Sequence, residues 1–442
     1  MYRRNLMPLL QDALSDSPVV LLNGARQTGK TTLVQALTEN QSEENQVKEQ
    51  QVKAQQLART YLSLDDVGVL SAAKSDPAGF LSGFPGPLVI DEVQHAPELF
   101  PAIKATVDKR REPGRFLLTG SANVLLLPRL SESLAGRMEI LTLWPLAQSE
   151  IENKSGTVNG SQSSSRNSSL IDLLFSDAFS QLLAPGLLPE LPKADLIRRI
   201  VAGGYPEPLA RASDARRRAW FASYLTTILQ RDVRDMANIE GLTALPRLLS
   251  LLAARSGSLL NLADVSRTSG LAYTTLLRYM TLLEATFLVQ FLPSWSANLG
   301  HRLVKSPKLL ISDTGLAASL LGVTAERLAE NGTLLGGLLE TFVAMELRKA
   351  AGWSAAAVQL FHYRTQAGQE VDVLLENGMG QLVGVEVKAS ATVTSSDFKG
   401  LRGIAEATGD RFVRGVVLYT GSQVIPFGER LYALPMSVLW HQ

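Results

Sequence analysis

The chain has 442 residues, 45% of them hydrophobic, with 43 Lys plus Arg against 42 Asp plus Glu and a net charge of +1. That length and apolar content predict roughly two to four domains, each able to bury a core. The balanced charge excludes a global field toward nucleic acid or membrane, so any nucleic-acid contact must come from a local patch. The absence of cysteine excludes disulfides and thiolate metal sites and suits a reducing cytoplasm, where the protein is expected to act. The apolar run near the N-terminus is broken by Gln11 and Asp12 before it could form a signal-peptide core. The longest charge-free apolar stretch, 285–300, is too short to span a bilayer and carries Gln290, Pro293, Ser294 and Asn298, so no membrane partner is expected.

In chain order, the first strong signal is PVVLL at 18–22, a buried strand, followed by NGARQTGKTTL at 23–33 and the opening of a helix. Gly24, Gly29, Lys30 and Thr31 fit G-x-x-x-x-G-K-[ST], in which glycines let backbone N–H groups wrap phosphates and a helix N-terminus adds partial positive charge. Lys30 is expected to reach the β- and γ-phosphates of ATP and Thr31 to ligate Mg²⁺, with Gln27, Thr28 and Thr32 completing the nucleotide cradle. A second strand, PLVIDEVQ at 87–94, ends in paired carboxylates. Asp91 is expected in the Mg²⁺ shell and Glu92 as the base that polarises the attacking water. His95 follows directly and is assigned no role. A third strand, RFLLTGSAN at 115–123, places Ser121 or Thr119 as a γ-phosphate sensor, and LAGR supplies Arg137 as a guanidinium for phosphoryl transfer, in cis or across a subunit interface of a homo-oligomer. These parts together resemble an AAA-type P-loop ATPase.

Two segments read as solvated insertions: 40–56, polar and charged without periodicity, and 153–169, rich in Ser, Asn and Gly. The second marks a domain boundary. The expected organisation is an ATPase domain at 1–150, an insertion and linker at 151–193, a helical lid-like segment at 194–240, a winged helix-turn-helix at 241–305 and a C-terminal domain at 306–442. Six arginines between Arg198 and Arg218 are either a solvated helix face or a phosphate-binding stripe. Asn261 reads as a helix cap and Gly270 as a turn before AYTTLLRYMTLLEATF and an apolar strand, the outline of a winged helix. In a DNA-reading version Tyr273, Thr274, Thr275 and Arg278 would meet bases; in the other reading the module is a connector or lid.

GARQTGKTTL, VIDEVQ, LLTGSANVLLL with SLAGR, GGYPEP at 203–208, Arg231-Asp232, KLLISDTGLAASLLG at 308–322 and the pairing of QAGQEVD with VEVKAS, in that order, are similar to a bacterial and archaeal family joining an AAA-type ATPase to a C-terminal domain of unknown function. The resemblance implies ATP binding, a winged-helix middle and a restriction-endonuclease-like end, without naming a substrate.

The end of the chain reads as αβββαβ. The α/β fold class expected overall is thus a P-loop parallel sheet, a helical and winged-helix middle, and this C-terminal domain. Helix 334–350 carries Glu340 in a row with Val343, Ala344 and Leu347, so Glu340 points to the apolar side. With period two, Glu370 and Asp372 share one face of EVDVLLE, and Glu386 and Lys388 share one face of LVGVEVKAS. If these strands are neighbours, Glu340, Asp372 and Glu386 converge as oxygen ligands for Mg²⁺, with Lys388 to orient or activate water. That order resembles the restriction-endonuclease and Holliday-junction-resolvase superfamily. The competing structural reading is a set of polar faces on edge strands, and the competing function is an ATPase switch whose C-terminal domain binds without cutting. Arg364 is a further phosphate contact, and His362 is read as packing or solvent-facing.

Overall fold

The apolar run before the glycine loop forms β1 (Val19–Asn23), buried at every position. In the computed structural model, which describes residues 2–38, 59–121, 134–153, 169–183, 188–232, 244–298, 300, 302 and 305–440, β1 lies inside a five-stranded sheet. The order is β2 (Thr60–Ser63), β3 (Leu88–Asp91), β4 (Phe116–Gly120), β1, β5 (Met138–Thr142), and all pairings are parallel. Such strands must be apolar on both faces because both are covered. Val19, Leu21, Leu88, Ile90, Phe116 and Leu118 pack on one side with helix Leu99–Lys109; Val20, Leu22, Val89, Leu117 and Leu141 pack on the other with helix Met7–Asp16. Because β4 sits between β1 and β3, its carboxyl end lies between the phosphate loop and the acidic strand end, where open α/β sheets bind ligands.

This sheet belongs to one of two compact units, residues 4–145 with 284–287; the other holds residues 146–283 and 288–442. The polar insertions at 40–56 and most of 153–169 lie outside the described residues.

In the second unit, Asn261 caps helix Leu262–Ser269 by accepting from Asp264 N at 3.0 Å, and Gly270 ends it at φ +73°. Helix Tyr273–Ala285 follows, then β6 (Val289–Leu292) and β7 (Lys308–Ile311) as an antiparallel ribbon. The second strand of this ribbon, β7, lies beyond the boundary at 305 read from the sequence. The reason is the sequence separation: a loop parts the ribbon strands, and an apolar KLLI reads equally as the start of a new domain. Asp313, buried just after β7, accepts from Gly204 N at 2.7 Å and Leu316 N at 2.9 Å, so the GGYPEP and SDTGL motifs meet. Of the six arginines from 198 to 218, Arg198, Arg199, Arg211 and Arg217 are ion-paired with Asp195, Glu152, Glu207 and Asp214, which favours the solvated-face reading.

The C-terminal part has helix Gly332–Ala351, then β8 (Gln359–Arg364), β9 (Glu370–Glu376), β10 (Leu382–Lys388), helix Lys399–Thr408 and β11 (Phe412–Tyr419). Two strands that the sequence reading omitted, β12 (Ile425–Pro426) and β13 (Leu431–Pro435), extend the mixed sheet to the order β12-β13-β11-β10-β9-β8. β8, β9 and β10 form an antiparallel meander, and β10, β11 and β13 run parallel. Helix Lys399–Thr408 lies so close to the sheet that a Cβ on Gly400 would stand 1.8 Å from Glu370 O.

Candidate functional site

The phosphate loop is shaped by residues that its neighbours force. Gly24 has φ +147°, and a Cβ there would meet Leu143 O at 2.2 Å; Gly29 has φ +93° and Gln27 φ +60°, so the loop alternates through left-handed backbone that turns N–H groups inward. Thr28 is buried and its hydroxyl donates to Ala25 O at 2.9 Å. Lys30 Nζ donates to Gly24 O and Ala25 O, each at 2.9 Å, placing the ammonium over the loop. Thr31 and Thr32 stand in the first turn of helix 30–38. Arg4 braces the loop from behind, donating to Thr28 O at 2.8 Å and Trp144 O at 2.7 Å. The sequence reading gave Arg4 no role, since nothing local marks an arginine near the chain start as a loop brace.

Asp91, at the end of β3, gathers three hydroxyls. Thr31 Oγ1 donates to its Oδ2 at 2.9 Å, Tyr61 OH to the same oxygen at 2.7 Å, and Thr119 Oγ1 to Oδ1. Burial, then the hydrogen bond to Asp91, pushes the Tyr61 phenol above its ordinary value, so it remains a donor. Glu92 takes a left-handed conformation, φ +59° and ψ +46°, which turns its carboxylate off the strand line; its backbone N donates to Thr119 Oγ1 at 3.0 Å. Gln94 Nε2 donates both to Glu92 Oε2 and to Ser121 Oγ, the latter at 2.9 Å, so the expected base and the expected sensor share one amide. Left-handed non-glycine residues cost roughly 1–3 kcal/mol and cluster where geometry is functional. Arg137, the last turn residue before β5, is ion-paired with Asp108. A P-loop with a threonine facing an aspartate suits Mg²⁺-ATP: hydroxyl and carboxylate oxygens are the donors such a hard cation takes.

In the second unit the structure brings Glu340, Asp372, Glu386 and Lys388 together and adds a residue the sequence reading did not place there. The register of β9 with β10 ends at Val373 and Val385; beyond it Asp372 Oδ2 accepts from Val387 N at 2.9 Å. Lys308, on β7 and only 1% exposed, enters this centre. Its ammonium contacts Glu340 Oε1 at 2.6 Å, Glu370 Oε1 at 2.8 Å and Asp372 Oδ1 at 3.1 Å. Although burial works against charge on Lys308, the three carboxylates hold its pKa above the ordinary value. Lys388 Nζ lies 2.9 Å from Glu386 Oε1. Burial opposes its charge too, but Glu386 raises it, and a charged ammonium is an acid, not a water-activating base. Burial, then the neighbouring Asp372, raises both Glu340 and Glu386.

Where the sequence reading expected a metal ion at Glu340, Asp372 and Glu386, the structure brings an ammonium among the acids. Among the described residues no group of three acidic or imidazole side chains is arranged to hold a metal ion. The Lys308 ammonium donates to Glu340 and Asp372 and lies against Glu370. Arg364, expected at a phosphate, lies 3.5 Å from Glu370. His362 is buried, with Nε2 3.1 Å from Ser306 O, so it packs and does not face solvent. At the start of helix Tyr273–Ala285, Tyr273 is 50% exposed and Thr274 and Arg278 are exposed.

Comparison with known proteins follows these divisions. Residues 16–152 match the AAA domain, 193–327 a domain of unknown function (DUF8612) and 335–439 another (DUF4143). Two uncharacterized proteins, Rv2008c of Mycobacterium tuberculosis and Mb2031c of Mycobacterium bovis, are each 31% identical over 434 residues, covering 98% of this chain and 83% of theirs. The chain belongs to their family. This chain joins an AAA-type P-loop ATPase domain to a DUF4143 domain. Among solved structures, the Walker-type ATPase PABY2304 of Pyrococcus abyssi is similar at TM-score 0.40 and 13% identity, covering 72% of this chain and 96% of that one. No helix among the described residues is long and apolar enough to cross a membrane.

Proposed function

We propose that this family member binds and hydrolyses ATP and acts as an ATP-operated switch whose C-terminal domain binds a partner without cutting it. The observation that carries the first half is the hydroxyl cluster on Asp91 beside the Lys30 loop, with Glu92 turned off the same strand end. Lys30 and the loop N–H groups hold the phosphates of ATP. Thr31 and Asp91 would hold Mg²⁺, which neutralises charge on the β- and γ-phosphates. Glu92 accepts a proton from the water that attacks the γ-phosphorus; the new P–O bond forms as the bond to the β–γ bridging oxygen breaks, leaving ADP and phosphate. Ser121, directly after β4, is the proposed γ-phosphate sensor, and Gln94 links it to Glu92. Arg137 is the proposed stabiliser of developing charge, within one chain or across a homo-oligomer interface.

The second half rests on Lys308, whose ammonium fills the carboxylate centre. Phosphate release from ATP by purified protein, compared with Lys30→Ala and Glu92→Gln, tests the ATPase. Wild-type protein that releases no phosphate in any state would overturn it.

A second reading, metal-dependent cutting of DNA presented by the winged helix, is favoured by the convergence of Glu340, Asp372 and Glu386. It predicts Mg²⁺-dependent cleavage of branched, single-stranded or duplex DNA that Glu386→Ala removes. No cleavage in the presence or absence of ATP leaves the switch.

A further inference from the structure

We infer that Lys308 is the resident cation of the C-terminal carboxylate centre, taking the place of a divalent ion, so that the centre binds no metal while β7 is docked. The inference goes beyond the ATPase reading and does not depend on it.

Three features of Lys308 carry this. The first is contact. Lys308 Nζ donates to Glu340 Oε1 at 2.6 Å and to Asp372 Oδ1 at 3.1 Å and lies 2.8 Å from Glu370 Oε1, so three carboxylates surround one ammonium. The second is origin. The carboxylates come from helix Gly332–Ala351 and strand β9, whereas the ammonium comes from the ribbon of the winged helix. A single side chain thus supplies from a separate element the positive charge that a metal ion supplies in a metal-dependent centre. The third is fixation. The backbone at Lys308 is held: it pairs with Leu292 of β6 and bridges Leu259, while Leu309 N donates to Ser258 O at 2.9 Å and Leu309 O accepts from Gly257 N at 2.8 Å. The strap that joins the ribbon to the sheet edge is equally short, with His362 N donating to Pro293 O at 2.9 Å and Trp295 N to His362 O at 2.7 Å.

A buried charge is tolerated when it is paired and hydrogen-bonded, and the ammonium, being of the same sign, repels a competing cation. A divalent ion at these carboxylates would stand within contact distance of the ammonium. It must therefore expel Lys308 or find no site. Glu386, with Oε1 on Lys388 and Oε2 without a partner, is the one carboxylate of the centre that Lys308 does not reach.

The experiment is Mn²⁺ binding, followed by electron paramagnetic resonance without nucleotide, in the full chain carrying Asp91→Asn so that the ATP site is silent. With Lys308 in place no Mn²⁺ is expected at the C-terminal centre. Lys308→Met is expected to bind one Mn²⁺ per chain, and Asp372→Asn in addition is expected to abolish that binding. Mn²⁺ should also raise the melting temperature of Lys308→Met and leave that of its parent unchanged. Should Lys308→Met not fold, Lys308→Gln, which keeps two N–H donors for the acids and leaves every candidate metal ligand in place, carries the same readout. The inference is overturned if the parent binds Mn²⁺ in a manner that Asp372→Asn removes, or if the folded Lys308 variants bind none. ATP turnover by the chain with Asp91 intact is read separately, so loss of the ATPase reading and loss of this one are distinct results.

Discussion

Tyr61 donates its phenolic hydrogen to Asp91 Oδ2 at 2.7 Å, the same oxygen that Thr31 reaches from the phosphate loop at 2.9 Å. A residue from β2 thereby fixes the rotamer of the carboxylate expected to orient Mg²⁺. Hydrogen bonds to charged groups contribute about 1.5–3 kcal/mol, and Thr119 still holds the other oxygen. Tyr61→Phe is therefore expected to slow Mg²⁺-dependent ATP turnover by about tenfold and to raise the Mg²⁺ concentration needed for half-maximal rate. An unchanged Mg²⁺ dependence would reduce Tyr61 to a packing residue.

Lys30 and Glu92 separate binding from chemistry. Lys30→Ala removes the ammonium above the loop, and titration with a fluorescent ATP analogue is expected to show loss of tight binding. Glu92→Gln keeps the shape but not the proton acceptor, so binding persists while turnover falls by roughly two to four decades. Normal hydrolysis by Glu92→Gln would move the base elsewhere.

Arg137 is held by Asp108, whose carboxyl that guanidinium keeps below the usual range. If Arg137 serves the transition state, Arg137→Ala slows turnover by roughly three decades, and Asp108→Asn, which only releases the guanidinium, does not slow it. Wild-type turnover in Arg137→Ala identifies a surface ion pair and removes the catalytic role.

His362 predicts a pH effect. Burial holds its imidazole down to about 4, below the ordinary 6.5, with Ser306 O, Lys308, Glu370 and Lys305 around it. As pH falls through this window the unfolded chain takes up the proton first, so His362 withdraws stability between pH 6.5 and 4 and nothing more below. His362→Gln cannot titrate there. Urea unfolding is expected to show the stability of this variant gaining on wild type as pH falls from 6.5 to 4; parallel curves would place His362 in a solvated setting.

Much of this molecule was legible because its signals are local. The alternation of fully apolar runs with Gly24, Gly29 and Lys30, and the Asp91-Glu92 strand end, depend on neighbours within a dozen residues. Asn261 and Gly270 likewise announce the helix that they bound. Tyr61 was not legible, since TYLS is a short, partly exposed strand directly after an insertion and says nothing of Asp91. Lys308 was hidden for a related reason. A lysine at the head of KLLI reads as the wet end of a strand, and only the tertiary fold shows that Glu340 and Asp372, 32 and 64 residues away, surround it. The parity argument placed Glu370 with Asp372 and Glu386 with Lys388, but parity assigns a face and does not say what covers it.

The ammonium shared by Glu340, Glu370 and Asp372 also constrains how the sequence can change over time. A substitution at Lys308 alone strands three acids in a dry place, and a substitution at one acid alone leaves the other two to carry the lysine. Relatives that drop the lysine are therefore expected to have lost at least one of those acids as well, so the four positions should drift together as a set, and a homologue that keeps every acid but lacks the lysine is the one in which to look for a bound metal.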